Sequence, residues 1–519
     1  MHKLLAHLMN DSMVRVHTVR VVVERGASLL VLISLVGAFL QGCTAVGPDY
    51  ARPKESVPNA FKEAGPWREA VPQDLVARGD WWEIFNDGAL NELEVQARTT
   101  NLGLQAAAAR VQQAQAIAGI SGSFLYPEVN LNPSAVRYGV SKTRPDQPSK
   151  QPANVNYAIN DFRVPLYASY EIDLWGKLRR LTESADAQAK ATLAAYYTVL
   201  LTLQGDIAHI YFLIRTSDEE LRILRDNIEL RRTARDLIAA RRKGGLSSEL
   251  DLARVQTELS FSQADLVAAT KRRVELEYTL AILIGVQPEQ FQLAARPFDL
   301  KPPAIPVGLP SDLLERRPDI AEAERRLAAR NAEIGVAKAA YFPSIRLTGA
   351  VGVESFDLGQ LLNKDSTIWG IGASLWQPVF DAGRIGFNVD RANAAYAENL
   401  AFYRERLLKA FQEVESSLAG LRFLGEQAEF QATALENANK ATELATVRYQ
   451  HGLIALTDVI DAERTSLQAQ RQALQVLNTQ MLTTVALIKA LGGGWSDRQV
   501  NGNAAPFRDD PRVTLRVPK

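Results

Sequence analysis

The chain has 519 residues with 59 basic and 59 acidic side chains, so there is no net field to gather nucleic acid or an anionic surface. Hydrophobic residues make up 47% and charged residues 23%, which excludes wholesale disorder and collagen-like composition. A single cysteine, Cys43, excludes a disulfide scaffold within the chain.

Residues 1–42 read as an address rather than as part of the fold. Lys3, Arg15, Arg20 and Arg25 form a basic flank, and Ala27 to Leu40 is an apolar run shorter than the roughly 20 residues a spanning helix needs. The run ends at Leu40-Gln41-Gly42-Cys43, which resembles a bacterial lipobox: an aliphatic residue, a small residue and the cysteine that is acylated. Gln41 is uncommon within such a box, and the alternative is a solitary structural cysteine. The expectation is a lipoprotein signal peptide over 1–42 and lipid attachment at Cys43, with Met9 or Met13 as alternative starts. Beyond the signal only His209 and His451 remain of the histidines, and no HExxH, GxSxG, phosphate loop or Cys-based metal spacing accompanies them. No catalytic residue, no metal and no cofactor is expected apart from covalent lipid on Cys43.

Residues 43–87 form an N-terminal anchor and extended segment, and the chain is duplicated thereafter. Arg110-Val111 through Asn130-Leu131 aligns with Arg326-Leu327 through Arg346-Leu347, and from Gly176 onward the pairs are Gly176/Gly383, Tyr196/Tyr403, Gly245-Leu246/Gly452-Leu453 and Asp251/Asp458. The change of offset marks an insertion in the first copy, around the polar stretch Ser141 to Asn156. Repeat 1 (88–286) is expected to hold a helix, strands near 128–140 and 157–175, and helices near 177–243 and 247–285. A proline-rich linker (287–317) follows, then repeat 2 (318–492) with a helix, strands near 344–356 and 367–380, helices near 384–450 and 454–491, and a tail (493–519).

The physical warrant for these elements is periodicity. No proline occurs between Gly176 and Pro288, or between Gly383 and Pro506, so long helices are permitted. Leu200, Leu203, Ile207, Ile210, Ile214, Leu221, Leu224 and Ile228 keep 3-4 spacing, as do Leu407, Phe411, Val414, Leu418, Leu421, Ala428, Ala432 and Leu435, which predicts coiled-coil packing. Phe162, Val164, Leu166, Ala168, Tyr170, Ile172 and Leu174 alternate with their neighbours in period two, as do Ile345, Leu347, Val351 and Val353, and Trp369, Ile371, Ala373 and Leu375. That is the apolar-out, polar-in pattern of membrane barrels, although a half-buried soluble sheet uses the same alternation. Four strands cannot close a barrel alone, since about eight are needed, so a membrane reading requires several chains.

Cys43 to Pro53 (CTAVGPDYARP), Trp81-Trp82 with Phe85, Tyr170 to Arg179 (YEIDLWGKLR), Leu314 to Ile320 (LERRPDI), Ile334 to Thr348 (IGVAKAAYFPSIRLT) and Ala490 to Trp495 (ALGGGW) together resemble the TolC-like outer-membrane factors, in their lipoprotein branch. The resemblance implies a mixed α and transmembrane β fold: a homotrimer with a 12-stranded outer-membrane barrel, continued by a 12-helix periplasmic tunnel, with an equatorial belt from the linker and termini. It implies a passive efflux conduit, anchored by lipid in the bacterial outer membrane, serving a periplasmic adaptor and an inner-membrane RND-type transporter. Type I protein secretion, and less so a coiled-coil structural lipoprotein, are the alternatives. The hairpin tips Gly245, Leu246, Ser247, Gly452 and Leu453 match the family's adaptor-docking turn. Asp458 and Asp461 match two aspartates that ring the closed entrance, and Tyr449 with Asp251 match a tyrosine–aspartate bond between hairpins that holds it shut. The family's second link, arginine to threonine, is replaced by Ile454 and Leu250, so with Leu456 part of the closure is expected to be apolar. Outside the resemblance, an Asp-x-x-Asp on a helix is ordinarily a solvated face.

Overall fold

The computed structural model describes residues 45–55, 58, 60–62, 80–139, 158–296, 301–303, 305 and 317–493. The signal peptide, Cys43, the Ser141–Asn156 insertion, most of the proline-rich linker and the tail beyond Gly493 lie outside the described residues. The chain divides into two compact units, one drawn from residues 1–51, 116–187 and 327–398 and the other from 52–115, 188–326 and 399–519.

The first unit carries an antiparallel sheet of β1 (Glu128–Leu131), β2 (Ser134–Gly139), β3 (Ala158–Ile172), β4 (Ser344–Ser355) and β5 (Thr367–Trp376). The order is β1-β3-β4-β5, with β2 also paired to β3. β1 and β2 share one register on β3, with Leu131 opposite Leu166 and Ser134 opposite Arg163, so they are one strand interrupted at Asn132-Pro133. The strand expected near 128–140 is thus broken in its middle, where Pro133 has no N–H for the ladder. A second proline, Pro165, sits inside β3 opposite Gly352, where a Cβ would lie 2.4 Å from the Val164 carbonyl oxygen; only glycine lets β4 close there. β3 stops at Ile172, short of 175, because the Asp173 carboxylate accepts the N–H groups of Leu178 and Arg179 and opens the next helix. β5 stops at Trp376, short of 380, with Pro378 beyond it.

The register carries each ladder straight across the sheet. Leu131, Leu166, Val351 and Trp369 lie in one ladder, and Val129, Ala168, Gly349 and Ile371 in another on the same face. The opposite face holds Glu128, Ser169 and Thr348, and an ion pair of Arg163 with Glu354 at 2.7 Å. The apolar face is uncovered in a single chain: Trp369 is 76% and Ile371 88% exposed.

The helices are α1 (Gly88–Thr100), α2 (Leu102–Ser123), α3 (Lys177–Lys243), α4 (Glu249–Leu283), α5 (Pro318–Ala339), α6 (Arg384–Gln450) and α7 (Leu456–Ala490). In the second unit, Trp81, Trp82 and Phe85 of a short 3-10 turn are buried with Leu90, Ile207, Phe212, Leu280, Val414 and Met481 in one core. Asp87 caps α1, accepting the Ala89 N–H at 3.0 Å, and also takes the buried Tyr211 hydroxyl. The 3-4 seam of α3 is buried at Ile207, Ile214, Leu224 and Ile228. In α6, Val414 and Leu418 are buried, but Ala428 and Leu435 are half-buried and Ala432 is exposed, so one chain does not fill that seam. α4 and α7 begin at Glu249 and Leu456 rather than at 247 and 454, since Ser248 and Ala455 occupy the N-cap positions.

Candidate gate and hairpin tips

Each long helix ends in the same left-handed glycine turn. Gly245 (φ 75°) and Gly452 (φ 74°) take backbone that L residues avoid, and the following leucine N–H reaches back to close the turn. Leu246 donates to the Arg241 carbonyl at 2.8 Å, and Leu453 to that of Arg448 at 2.9 Å. A hydrophobic contact commonly accompanies this turn, but here the leucine side chains are 80% and 71% exposed. Ser247 is half-buried beside Leu246.

The helices leaving the turns begin with aspartates three residues into their N-termini. Asp251 accepts the Ser248 N–H at 3.1 Å and its hydroxyl at 2.7 Å, while the Ser248 oxygen accepts the Asp251 N–H, giving a complete capping box. These bonds hold the Asp251 carboxyl below its ordinary range. Asp458, its counterpart in the second repeat, accepts the Ala455 N–H at 3.0 Å, but alanine returns no side-chain bond. Asp461 is turned to solvent with Arg464 at 3.8 Å.

Tyr449 is half-buried in an apolar cluster. It packs with Leu252 and Leu456 against the buried Ile238, Val255 and Ile460, with the Arg241 guanidinium 5.5 Å from its ring centre. Leu250 is exposed and Ile454 half-buried beside this layer. Thus, of the expected gate residues, Tyr449 and Leu456 share one apolar cluster, whereas Asp251, Asp458 and Asp461 line the solvent side of the turns. Beside the cluster lies a cavity of about 410 Å³ lined in part by Arg231, Leu237, Thr442, Tyr449 and Glu463.

Next to this cavity is a charged cluster that joins three helices. Glu258 of α4, 7% exposed, accepts from Arg231 of α3 at 3.0 Å and from Arg464 of α7. Arg231 also donates to the Glu258 carbonyl at 2.6 Å. The Arg464 guanidinium, aided by Arg231, keeps the Glu258 carboxyl low despite its burial. Glu463 is raised by burial, against the attraction of Arg231. One heptad along, Arg471 of α7 meets Asp265 of α4 at 3.3 Å and Glu220 of α3 at 2.8 Å, and Glu220 also holds Arg272 at 2.9 Å. Two ionic rungs a heptad apart therefore fix the register of α7 against α4. Sequence reasoning passed over both rungs. The detectable signal was Glu258/Asp265 facing Arg464/Arg471, two opposite-charge pairs each seven residues apart on helices already expected to pack. The Ser-x-x-Asp capping signature at Ser248 was also present and unused. Among the described residues no group of three or more His, Cys, Asp or Glu is placed to hold a metal.

Two long helices joined by a glycine turn recur in each half of the chain, and both halves give alternating strands to one sheet. The model of one family, described as outer membrane efflux protein, matches residues 93–286 and 309–493. The chain belongs to this family. It is 36% identical over 436 residues to the pyoverdine export outer membrane protein OpmQ of Pseudomonas putida, covering 83% of this chain and 91% of that protein. It is 31% identical over 464 residues to the cation efflux system protein CusC of Escherichia coli, covering 89% and 97%. Among solved structures, the Campylobacter jejuni CmeC outer membrane channel superposes with a TM-score of 0.81 at 26% identity, covering 89% of this chain and 97% of that one. The chain is an outer-membrane efflux component of a channel family, not of an enzyme family. One matched segment lies on each side of the proline-rich stretch at the middle of the chain.

Proposed function

We propose that three copies assemble into a conduit, each giving one four-strand sheet to a 12-stranded barrel and two helix hairpins to a 12-helix periplasmic tunnel. The observation that carries this reading is the sheet. It has one apolar face, uncovered, and among the described residues its two edges, β1/β2 and β5, have no partner strand. An open apolar edge in water invites aggregation, whereas closure by neighbouring copies removes it. β1 and β5 run in opposite directions, so β5 of one copy meets β1/β2 of the next as an antiparallel pair, and any whole number of copies preserves the alternation. Three copies leave a lumen, whereas two give a narrow eight-stranded barrel filled by side chains.

In this reading the conduit is passive. An inner-membrane transporter of the RND type supplies energy and a periplasmic adaptor docks on the six tips, where Leu246 and Leu453 stand exposed. Small compounds are the cargo, consistent with relatives named for pyoverdine export and cation efflux. Lipid on Cys43 anchors the chain. The entrance is closed by an apolar layer of Leu250, Ile454 and Leu456 with a carboxylate ring of Asp458 and Asp461, and the rungs at Glu258 and Asp265 hold the hairpins in register. The Tyr449 hydroxyl donates to the Asp251 carboxylate between neighbouring hairpins, and the cap on Ser248 leaves Oδ1 of that carboxylate open to accept it. Single-channel recording in planar bilayers tests the reading: the wild type passes a small current, and Tyr449→Phe with Asp251→Ala passes a larger one. Equal currents remove the tyrosine–aspartate latch, and no current in either removes the conduit.

A further inference from the structure

Three of the sequence signposts, far apart in the chain, meet at one place in the first unit. The segment Ala45–Asp49, which follows Cys43, lies against the start of α3 and against α5, at the end of the sheet where β3 gives way to α3 and α5 gives way to β4. The Val46 N–H donates to the Trp175 carbonyl at 2.9 Å. Arg180, buried on α3, donates to the carbonyls of Val46 at 3.3 Å and Gly47 at 3.4 Å and to the Asp49 carboxylate at 2.6 Å, and its other arm holds Glu183 at 2.8 Å. Asn331 of α5 donates to the Pro48 carbonyl at 2.8 Å. The backbones touch: a Cβ on Gly47 (φ 101°) would lie 2.5 Å from the Gly335 Cα, and one on Gly335 would lie 2.7 Å from the Val46 carbonyl oxygen. Every carbonyl from Val46 to Pro48 thus has a side-chain donor from α3 or α5.

We propose that this clasp of Arg180, Asn331 and the Gly47–Gly335 contact is a tether lock, which sets the height at which acyl chains on Cys43 enter the membrane. The inference rests on the reading of Cys43 as the lipidated residue. Only Thr44 separates Cys43 from Ala45, two Cα steps with a reach of at most about 7 Å, so a fixed Ala45 confines the lipid to the foot of the sheet. The foot is itself suited to a lipid–water boundary, since Tyr126, Tyr341, Trp376, Phe380 and Phe387 are all exposed there. Acyl chains held at that level reach the leaflet in which the lower ends of the strands sit, and act with the aromatic side chains instead of trailing on a loose leader.

Amide exchange across residues 45–52, with the intact mass of the same full-length, membrane-extracted sample, tests this. The Val46 amide of the wild type should exchange about 100-fold more slowly than an open chain. Arg180→Met and, separately, Asn331→Ala should raise that exchange by about tenfold while β3 and β4 keep theirs. Arg180→Lys, which can meet Asp49 but not all three acceptors, should fall between. Open-chain exchange in the wild type, or unchanged protection in both Arg180→Met and Asn331→Ala, overturns the lock. A protected Val46 in a chain whose mass shows an unmodified Cys43 overturns the anchoring role alone, because it leaves the clasp and removes the lipid.

Discussion

Removing Glu258's charge should loosen the hairpins far more than removing Arg464, although both end the same ion pair. Arg464 is 54% exposed at its side chain, so its bond is screened and its loss costs about 1 kcal/mol at most. Glu258→Gln leaves Arg231, 5% exposed at its side chain, facing a neutral amide and a backbone carbonyl in place of a carboxylate. Breaking a buried pair from one side costs about 3 kcal/mol or more, because the remaining charge stays desolvated. At 1.4 kcal/mol per decade, local opening of α4 and α7 should rise about 100-fold in Glu258→Gln and about fivefold or less in Arg464→Ala. Replacing Arg231 and Glu258 together by methionine should return opening to near the wild-type rate, since neither charge is then buried. Amide exchange of peptides covering 250–265 and 458–471 reads all three. Equal opening in Glu258→Gln and Arg464→Ala would refute the argument, since it would mean that the buried Arg231 is solvated or otherwise compensated.

Other consequences follow from the same turns. Ser248→Ala should cost about 1 kcal/mol at the start of α4, and Ala455→Ser should gain a comparable amount at α7 by completing its half-made capping box; exchange protection of the first turn measures both. Leu246→Asp with Leu453→Asp should leave oligomer yield and melting unchanged, because both residues are largely exposed in the chain, yet abolish efflux; unchanged drug resistance would exclude tip docking. Glu463 has a raised pKa in the folded state, so its contribution is full below the ordinary carboxyl value near 4.3 and is lost as pH rises through the raised value. Glu463→Gln should therefore stabilise the hairpins at pH 7 and not at pH 4, as read from melting curves at the two values. Gly352→Ala should disrupt the sheet by forcing β4 off Pro165, visible as lost outer-membrane yield.

Helices were legible wherever one physical constraint dominated. Long proline-free runs with 3-4 apolar spacing could only be helical, and the glycine turns that stop α3 and α6 stood out because the duplication printed them twice. The strands were legible through period-two alternation, but their ends were not. Alternation continues through Leu174 and Trp175, whereas the Asp173 carboxylate ends β3 by capping α3, and nothing in a period of two announces a cap. Pro133 could have been read as a break, yet its register-neutral position on β3 emerges only from the pairing. At the gate, family likeness supplied Asp251, Tyr449 and Asp458, while local chemistry decides what they do in one chain: two cap helices and one packs inward. The rungs at Glu258, buried, and Asp265, exposed, are not legible in the sequence because a charge on a helix looks solvated and unpaired until the facing helix and its arginine are known.

The central claim is that the sheet edges close on neighbouring copies to give a ring of three, and engineered disulfides test it most directly. In a Cys43→Ser background exported without lipid, a cysteine at Leu131 on one edge is combined in turn with cysteines at Trp369, Ile371 and Ala373 on the other. Non-reducing electrophoresis of membrane-extracted protein should show one of these pairs giving a covalent species of three copies and nothing larger. Closed dimers, an unlimited ladder of oligomers, or monomer throughout the scan would contradict the account.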